Sequence, residues 1–215
     1  MYKMSVYKTE FLDFAIGSGV LCFGTFKTKA GRLSPYFFNA GLFNDGASLK
    51  KLGEFYAKAI VESGIAFDML FGPAYKGIPL VASIAIALVG MGHNVPFAFN
   101  RKEAKEHGEG GQVIGAALEG RVLIVDDVIS AGTSVRESVE LIRSQNAQAV
   151  GVVIALDRME KGVGEKSAVQ EVQENYGIPV VSVVSLTDLL TFLESNSDWG
   201  DRLKAVARYR EQYGI

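Results

Sequence analysis

The feature that most constrains the fold is a regular alternation, after residue 66, of short apolar segments with segments of helical periodicity. Five apolar segments predict strands: "FDMLFG" (67–72), "VPFAFN" (95–100), "RVLIVDD" (121–127), "AVGVVIALD" (149–157) and "PVVSVVSL" (179–186). The segments with helical periodicity predict helices at 76–92, 132–145, 187–195 and about 200–212. Continuous apolar strands that alternate with helices are typical of a parallel sheet buried on both faces. We therefore predict an α/β fold with a mostly parallel, twisted sheet flanked by helices.

The first 65 residues follow a different pattern. A helix is predicted over 4–16, and another over 45–64 that ends at Gly64, with extended segments joined by Gly and Pro turns between them. We predict a small N-terminal hood subdomain at 1–65 and an α/β core at 66–215, within one domain of 215 residues. The polar, glycine-rich stretch over 101–118 is predicted to be a mobile loop.

The composition excludes several classes of function. A net charge of −2 gives no general attraction to nucleic acid or to an anionic membrane. One cysteine and two histidines make a zinc cluster or a disulfide framework a poor hypothesis. The longest apolar stretch, residues 78–92, is too short to span a bilayer comfortably. We expect a cytoplasmic protein without a membrane or nucleic-acid partner.

One stretch carries most of the chemistry: "VLIVDDVISAGTS", residues 122–134. Ligands of open α/β sheets bind at the carboxyl ends of the strands, which is where Asp126 and Asp127 fall. The small residues that follow open a helix, whose free amides and dipole favour a phosphate. The carboxylates suit sugar hydroxyls or a magnesium ion. Together they predict a site for a ribose 5-phosphate, and neither GxxxxGK[ST] nor GxGxxG is present.

This stretch resembles the signature of the type I phosphoribosyltransferases, which use phosphoribosyl diphosphate (PRPP). Four further motifs, "KAGRLSPYFFNAG", "FGPAYKGIPL", "FNRKEAKEHGEGG" and "ALDRMEKG", are similar to the orotate branch of that family, and the resemblance covers essentially the whole chain. It implies the type I phosphoribosyltransferase fold. It also implies transfer of a phosphoribosyl group from PRPP to orotate, which yields orotidine 5′-phosphate and pyrophosphate with Mg²⁺ as cofactor.

The resemblance also assigns the PRPP site. Its residues would be Tyr75, Lys76, Arg101, Lys102, Lys105, His107, Asp126, Asp127, Val128, Ile129, Ser130, Ala131, Gly132, Thr133 and Ser134. Among them Lys102, Lys105, His107, Asp126 and Asp127 would be catalytic. Mg²⁺ would be held mainly by PRPP, with Asp126 and Asp127 as candidate protein ligands. The cationic segment at 101–107 would close over the site and reach into the neighbouring subunit, which implies a homodimer.

The orotate site follows from the same resemblance. Its residues would be Lys29, Phe37, Phe38, Ser130 and Arg158. A flat pyrimidine suits an aromatic surface, and guanidinium geometry suits carboxylate and ring carbonyls. Ser130 stands where orotate enzymes often have Thr, and its hydroxyl can make the same hydrogen bond.

Each motif has a simpler alternative. An aspartate before a glycine turn is often a helix cap, and Phe37 and Phe38 suit a hydrophobic core. Arg158 could form an ion pair with Asp157 or Glu160. The cationic segment could be a solvated stretch of balanced charge. For the whole chain, the alternatives are a transferase for another base, or a regulatory protein that keeps the fold to sense PRPP.

Overall fold

The computed structural model describes residues 4–28, 30–105 and 111–215. Its helices in this part of the chain are α1 (Val6–Gly17), α2 (Gly46–Ser63), α3 (Gly77–Val89), α4 (Thr133–Ser144), α5 (Ala168–Tyr176), α6 (Leu186–Glu194) and α7 (Gly200–Tyr213). Its strands are β1 (Leu21–Lys27), β2 (Leu33–Phe38), β3 (Met69–Gly72), β4 (Phe97–Lys105), β5 (Gly111–Gly115), β6 (Arg121–Val125), β7 (Gln148–Asp157) and β8 (Val180–Ser185). None of the described helices is long and apolar enough to cross a membrane.

The main sheet has six strands in the order β5-β4-β3-β6-β7-β8. All neighbours are parallel except β5, which pairs antiparallel with β4. This confirms the predicted mostly parallel sheet. The strand order also places β6 beside both β3 and β7, so the residues that follow these three strands lie at one edge of the sheet.

Successive residues of β6 point to opposite faces of the sheet, as the strand period requires. Leu123 and Val125 belong to the core beneath α1, α2, α3, α6 and α7. Val122 and Ile124 belong to the second core, beneath α4 and α5. All four side chains are fully buried, which explains why this strand is an uninterrupted apolar run rather than an alternating one.

The first 65 residues contribute a separate two-stranded sheet and two helices. β1 and β2 pair antiparallel, with Leu21 opposite Phe38. Helix α2 approaches α3 closely, because a Cβ atom on Gly53 would lie 2.6 Å from the Ser83 carbonyl oxygen. This helix therefore also covers the main sheet, and the hood boundary at residue 65 stays a prediction.

Two features of the chain differ from the sequence-based expectation. The predicted loop at 101–118 is wrong over much of its length, because β4 runs to Lys105 and β5 occupies Gly111–Gly115 in an antiparallel pair with it. The charged end of β4 extends past its pairing with β3, which covers only Phe97–Phe99, so its side chains need not enter the core. Helix α5 was not predicted, although its capping box of Ser167 and Gln170 is present in the sequence.

Candidate active site

Asp126 and Asp127 follow the last residue of β6, at the edge where β3 and β7 also end. The Asp126 side chain is buried, and its Oδ1 accepts a hydrogen bond from the Asp127 amide at 2.8 Å. The Asp126 amide donates to the Val153 carbonyl at 3.0 Å. On the other side, the hydroxyl of the fully buried Tyr56 donates to the Asp126 carbonyl at 2.8 Å. Backbone contacts therefore fix the paired acids in position.

The two carboxylates differ in their electrostatic environment. Burial, together with the charge of Asp127, raises the pKa of Asp126 from 3.8 to about 6, against a smaller opposing effect of hydrogen bonds from the Asp127 amide and the Ser134 side chain. Asp127 has a cationic partner, because Lys76 Nζ lies 2.5 Å from its Oδ2. With a pKa of about 6, Asp126 is mainly ionised at neutral pH and can accept a hydrogen bond from a diol.

The turn after the acids opens α4. Gly132 has φ +69°, a left-handed conformation that favours glycine, and the helix begins at Thr133. No side chain caps the first turn of α4, so its amide hydrogens are not taken up by the protein in this way. A cavity of about 210 Å³ lies here, lined by Asp126 and residues 128–135. It joins amide donors, hydroxyls and a carboxylate in one space.

A second tight turn links β3 to α3 beside the acids. A Cβ atom on Gly72 would lie 2.2 Å from the Gly77 carbonyl oxygen, so the two ends of this turn touch and exclude any side chain. The amide of Ala74 donates to the Asn100 side chain at 2.7 Å, which ties the turn to β4. Lys76 leaves the same turn toward Asp127.

The cationic segment begins within β4. Arg101 and Lys102 lie in this strand, and Lys102 Nζ is 5.4 Å from the centre of the Tyr75 ring. Tyr75 is 69% exposed, so its ring presents an open face beside the turn. The side chain of Lys105 and the whole of His107 lie outside the described residues. Their predicted roles stay predictions.

The candidate base-binding residues occupy the hood. Phe37 is 46% exposed and stacks on Phe26, with 5.5 Å between the ring centres. Phe38 is half-buried and its ring lies 6.4 Å from that of Phe11. Phe37 is therefore not a core residue, whereas Phe38 partly is. Lys29 lies outside the described residues.

Arg158 follows β7 and faces the same hood strand, β2. Its Nη2 donates to Ser34 Oγ at 3.0 Å, and its guanidinium carbon lies 4.3 Å from the centre of the Tyr36 ring. It also pairs with Glu160, at 2.6 Å from Nη2 to Oε1. The ion pair considered from the sequence is thus present, but it lies in a half-buried cluster that joins the core to the hood.

Sequence reasoning missed several of the residues that support this site. They are Tyr56, Asn100, Ser34 and Tyr36. Each acts across a large separation or through a backbone group, and no local pattern identifies such a contact. Among the described residues no three His, Cys, Asp or Glu side chains are grouped to hold a metal ion.

A larger cavity, of about 430 Å³, lies at the other end of the main sheet. Asp68, Met69 and Gly120 line it, and these residues precede or begin strands rather than follow them. The Arg121 guanidinium pairs with Asp68 and holds the pKa of that carboxyl down to about 2. This cavity lacks the uncapped helix start and the paired acids, so we do not assign it to the chemistry.

Comparison with known proteins identifies the class that this fold and site define. A sequence model described as "Phosphoribosyl transferase domain" matches residues 42–185, which include both tight turns and the paired acids. Among solved structures, the orotate phosphoribosyltransferase of Francisella tularensis superposes with a TM-score of 0.87 at 41% identity, over 96% of this chain and 100% of that one.

Curated relatives narrow the class further. The orotate phosphoribosyltransferase of Thiobacillus denitrificans is 74% identical over 99% of this chain and its own full length. That of Neisseria meningitidis serogroup C is 62% identical over the same shares. The chain belongs to the orotate phosphoribosyltransferase family.

Proposed function

We propose that the edge where β3, β6 and β7 end is the PRPP site of an orotate phosphoribosyltransferase. As a member of that family, the chain transfers the 5-phosphoribosyl group from PRPP to orotate and forms orotidine 5′-phosphate and pyrophosphate, a step of pyrimidine biosynthesis. One observation carries the assignment of the site: a pair of aspartates at the end of a buried strand and a helix start without a capping side chain are joined by one short turn, residues 128–132, and Asp126, the turn and the helix start line the same cavity.

The ribose 5-phosphate seat follows from this arrangement. The 5-phosphate lies in the turn of residues 128–134, where the amides of the first turn of α4 and the hydroxyls of Thr133 and Ser134 donate to it. The ribose diol donates to Asp126 and Asp127. The phosphate end of the ligand therefore requires hydrogen-bond donors and the diol end requires acceptors, and this difference fixes the orientation of the ligand.

The pyrophosphate lies toward the β3–α3 turn. Lys76 supplies a cation that already faces the site through Asp127. Tyr75 belongs to this turn and Lys102 lies over its ring. Arg101 precedes Lys102 in β4, and Lys105 and His107 follow along the chain. Departing pyrophosphate develops negative charge, and cations placed around it stabilise that charge in the transition state.

Mg²⁺ fits this site as an ion that the protein carboxylates and the substrate phosphates would bind together. The donor set contains two adjacent carboxylates rather than a complete protein cage, and Asp127 is already paired with Lys76. Mg²⁺ usually keeps several waters and binds one or two carboxylates together with substrate phosphates. Among the described residues Asp126 and Asp127 are its candidate protein ligands, and its charge would help to neutralise the diphosphate.

Orotate lies between the sheet edge and the hood. Phe37, exposed beside Phe26, offers an aromatic surface, and Phe38 follows it as the last residue of β2. Arg158 offers donors to the planar acceptors of orotate, as Lys29 would to its carboxylate. Ser130 stands at the start of the phosphate turn and supplies a hydroxyl to the base.

The reaction breaks the anomeric bond through a sugar with oxocarbenium character, which water would capture. The cationic segment begins within β4, which pairs with β5, and its closure over the substrates would deliver positive charge and exclude water together. We infer that two copies of the chain form the functional unit, with this segment completing the neighbouring site. Sedimentation at working concentration tests this by distinguishing a dimer from a monomer.

The direct test of the proposed function is a spectrophotometric assay. Purified protein is mixed with PRPP, Mg²⁺ and orotate, and orotate absorbance should fall with formation of orotidine 5′-phosphate. Uracil, hypoxanthine and adenine should not replace orotate. Turnover of one of those bases would assign a different transferase, and PRPP binding without turnover would favour a sensor.

A further inference from the structure

A buried carboxylate outside the predicted site organises the arginine assigned to orotate. Glu160 Oε1 accepts from Arg158 Nε at 2.8 Å and from Nη2 at 2.6 Å. The Tyr36 hydroxyl donates to the same oxygen at 3.3 Å. The Tyr209 hydroxyl, from α7, donates to Oε2 at 3.2 Å. Both oxygens of Glu160 are thus used, and the side chain is only 15% exposed.

The contacts of Arg158 fix the plane and the direction of its guanidinium. Nε and Nη2 face Glu160, Nη2 also reaches Ser34, and the plane lies over the Tyr36 ring. The Tyr209 hydroxyl also lies within hydrogen-bonding reach of the Arg158 side chain. An arginine carries five N–H donors in a rigid fork, so holding Nε and Nη2 fixes the direction of the Nη1 pair.

Helix α7 packs against the cluster of Arg158, Glu160 and Tyr36. Tyr209 is buried and its ring packs edge-on against Tyr36 at 6.3 Å between centres. After α7, the carbonyl of Tyr213 accepts from the Lys161 amide at 2.9 Å, and the Ile215 amide donates to the Met159 carbonyl at 3.1 Å. Backbone contacts therefore hold the segment after Arg158 against α7.

We propose that Glu160, supported by the Tyr209 hydroxyl, is a positioning residue that aims the guanidinium of Arg158 at orotate. This inference rests on the proposed function, which places Arg158 against that substrate. Glu160 does not touch the substrates. It acts by fixing the guanidinium before orotate arrives, so its loss lowers orotate affinity and leaves PRPP binding unchanged.

The test compares Glu160→Gln with a matched control in the same segment. Glu165→Gln makes the same change in an exposed carboxylate that pairs only with Lys161, and its side chain is 87% exposed. Glu160→Gln should raise KM for orotate about tenfold, the effect of one lost charge-assisted hydrogen bond. KM for PRPP should stay within about twofold in both variants, and Glu165→Gln should leave both constants unchanged.

Tyr209→Phe provides a second, milder perturbation in case Glu160→Gln folds poorly. It removes one hydroxyl from the carboxylate and should raise KM for orotate about two- to fivefold, with PRPP binding by calorimetry unchanged. If orotate KM is normal in a folded Glu160→Gln and in Tyr209→Phe, or if PRPP binding falls equally, the positioning role is wrong.

A double variant separates this inference from the proposed function. Arg158→Gln removes the guanidinium but keeps an amide that can donate to Glu160, and it should raise KM for orotate strongly. In that background Glu160→Gln should add nothing, because there is no guanidinium left to aim. Additive effects would refute positioning through Arg158. Normal orotate KM in Arg158→Gln alone would instead refute the placement of Arg158 in the proposed function.

Discussion

Asp126 lies in a buried environment that disfavours its negative charge, although binding of the ribose diol uses that charge. Its pKa is raised from 3.8 to about 6, mainly by burial and then by the charge of Asp127. An acid whose pKa is raised in the folded state destabilises the fold when ionised. The cost is complete above about pH 6 and disappears as the pH falls toward 3.8. A rise of this size corresponds to about 3 kcal/mol, since each pKa unit equals about 1.4 kcal/mol.

Replacement of Asp126 by asparagine should therefore have opposite effects on stability and binding. Asparagine keeps an oxygen that can accept from the Asp127 amide, but it carries no charge. At pH 7 the variant should unfold at higher denaturant concentration, with a gain of up to about 3 kcal/mol. At the same time it should bind PRPP more weakly, because one diol acceptor has lost its charge.

The pH dependence of PRPP binding gives the second measurement. With a pKa of about 6, the ionised fraction of Asp126 falls from about nine-tenths at pH 7 to about one-tenth at pH 5. PRPP affinity of the unmodified protein, measured by calorimetry, should fall about tenfold over this interval relative to that of Asp126→Asn at each pH. Dividing by the variant removes the titration of the substrate phosphates. Asp13→Asn, an exposed acid on α1, is the control.

Two results would refute this reasoning. One is a ratio of affinities that stays constant between pH 5 and pH 7. The other is an Asp126→Asn variant that is less stable than the unmodified protein at pH 7, which would mean that the carboxylate stabilises the fold rather than straining it.

Three further substitutions test other parts of the site. Gly77→Ala would place a Cβ atom 2.6 Å from a backbone carbon across the β3–α3 turn, so it should cost at least about 1–3 kcal/mol in chemical denaturation and weaken PRPP binding. The matched Gly46→Ala, at the open start of α2, should be neutral or slightly stabilising. Tyr56→Phe leaves a buried carbonyl without its donor and should cost about 1–3 kcal/mol in the same measurement, while an unchanged unfolding midpoint would contradict the contact. Lys105→Ala should lower turnover about a hundredfold with an unchanged melting temperature, and near-normal turnover would remove the cationic segment from the mechanism.

Local chemistry explains which parts of the site could be predicted from the sequence. The acids, the glycine of the turn and the first residues of α4 all lie in one short segment. The acids mark the end of a strand, the glycine permits a left-handed turn, and the residues after it begin a helix without a capping side chain. Parallel topology then brings Lys76 to Asp127, because β3 and β6 are neighbours. The alternation of strands and helices predicts that topology without knowledge of any contact.

The supporting residues could not be predicted because their chemistry is split between distant segments. From the sequence, Glu160 is no more than one of two possible ion-pair partners of Arg158, and Tyr209 resembles any aromatic residue on an amphipathic helix. Their role exists only where α7 crosses behind the segment after β7 and the two hydroxyls converge on one carboxylate. Backbone contacts, such as Tyr56 to the Asp126 carbonyl, leave no pattern in the sequence, because any residue supplies a carbonyl.

The difference between contiguous and distant residues also separates the two proposed substrate sites. The ribose 5-phosphate seat is built from contiguous residues on the core sheet, so its geometry depends on a strand end and a helix start that buried apolar side chains hold rigidly. The arginine proposed for orotate instead depends on three separate pieces: β2 of the hood, the segment after β7, and α7. Any change that shifts the hood relative to the core should therefore affect orotate before it affects PRPP. This is why the ratio of the two KM values, rather than activity alone, is the informative measurement for substitutions in the hood.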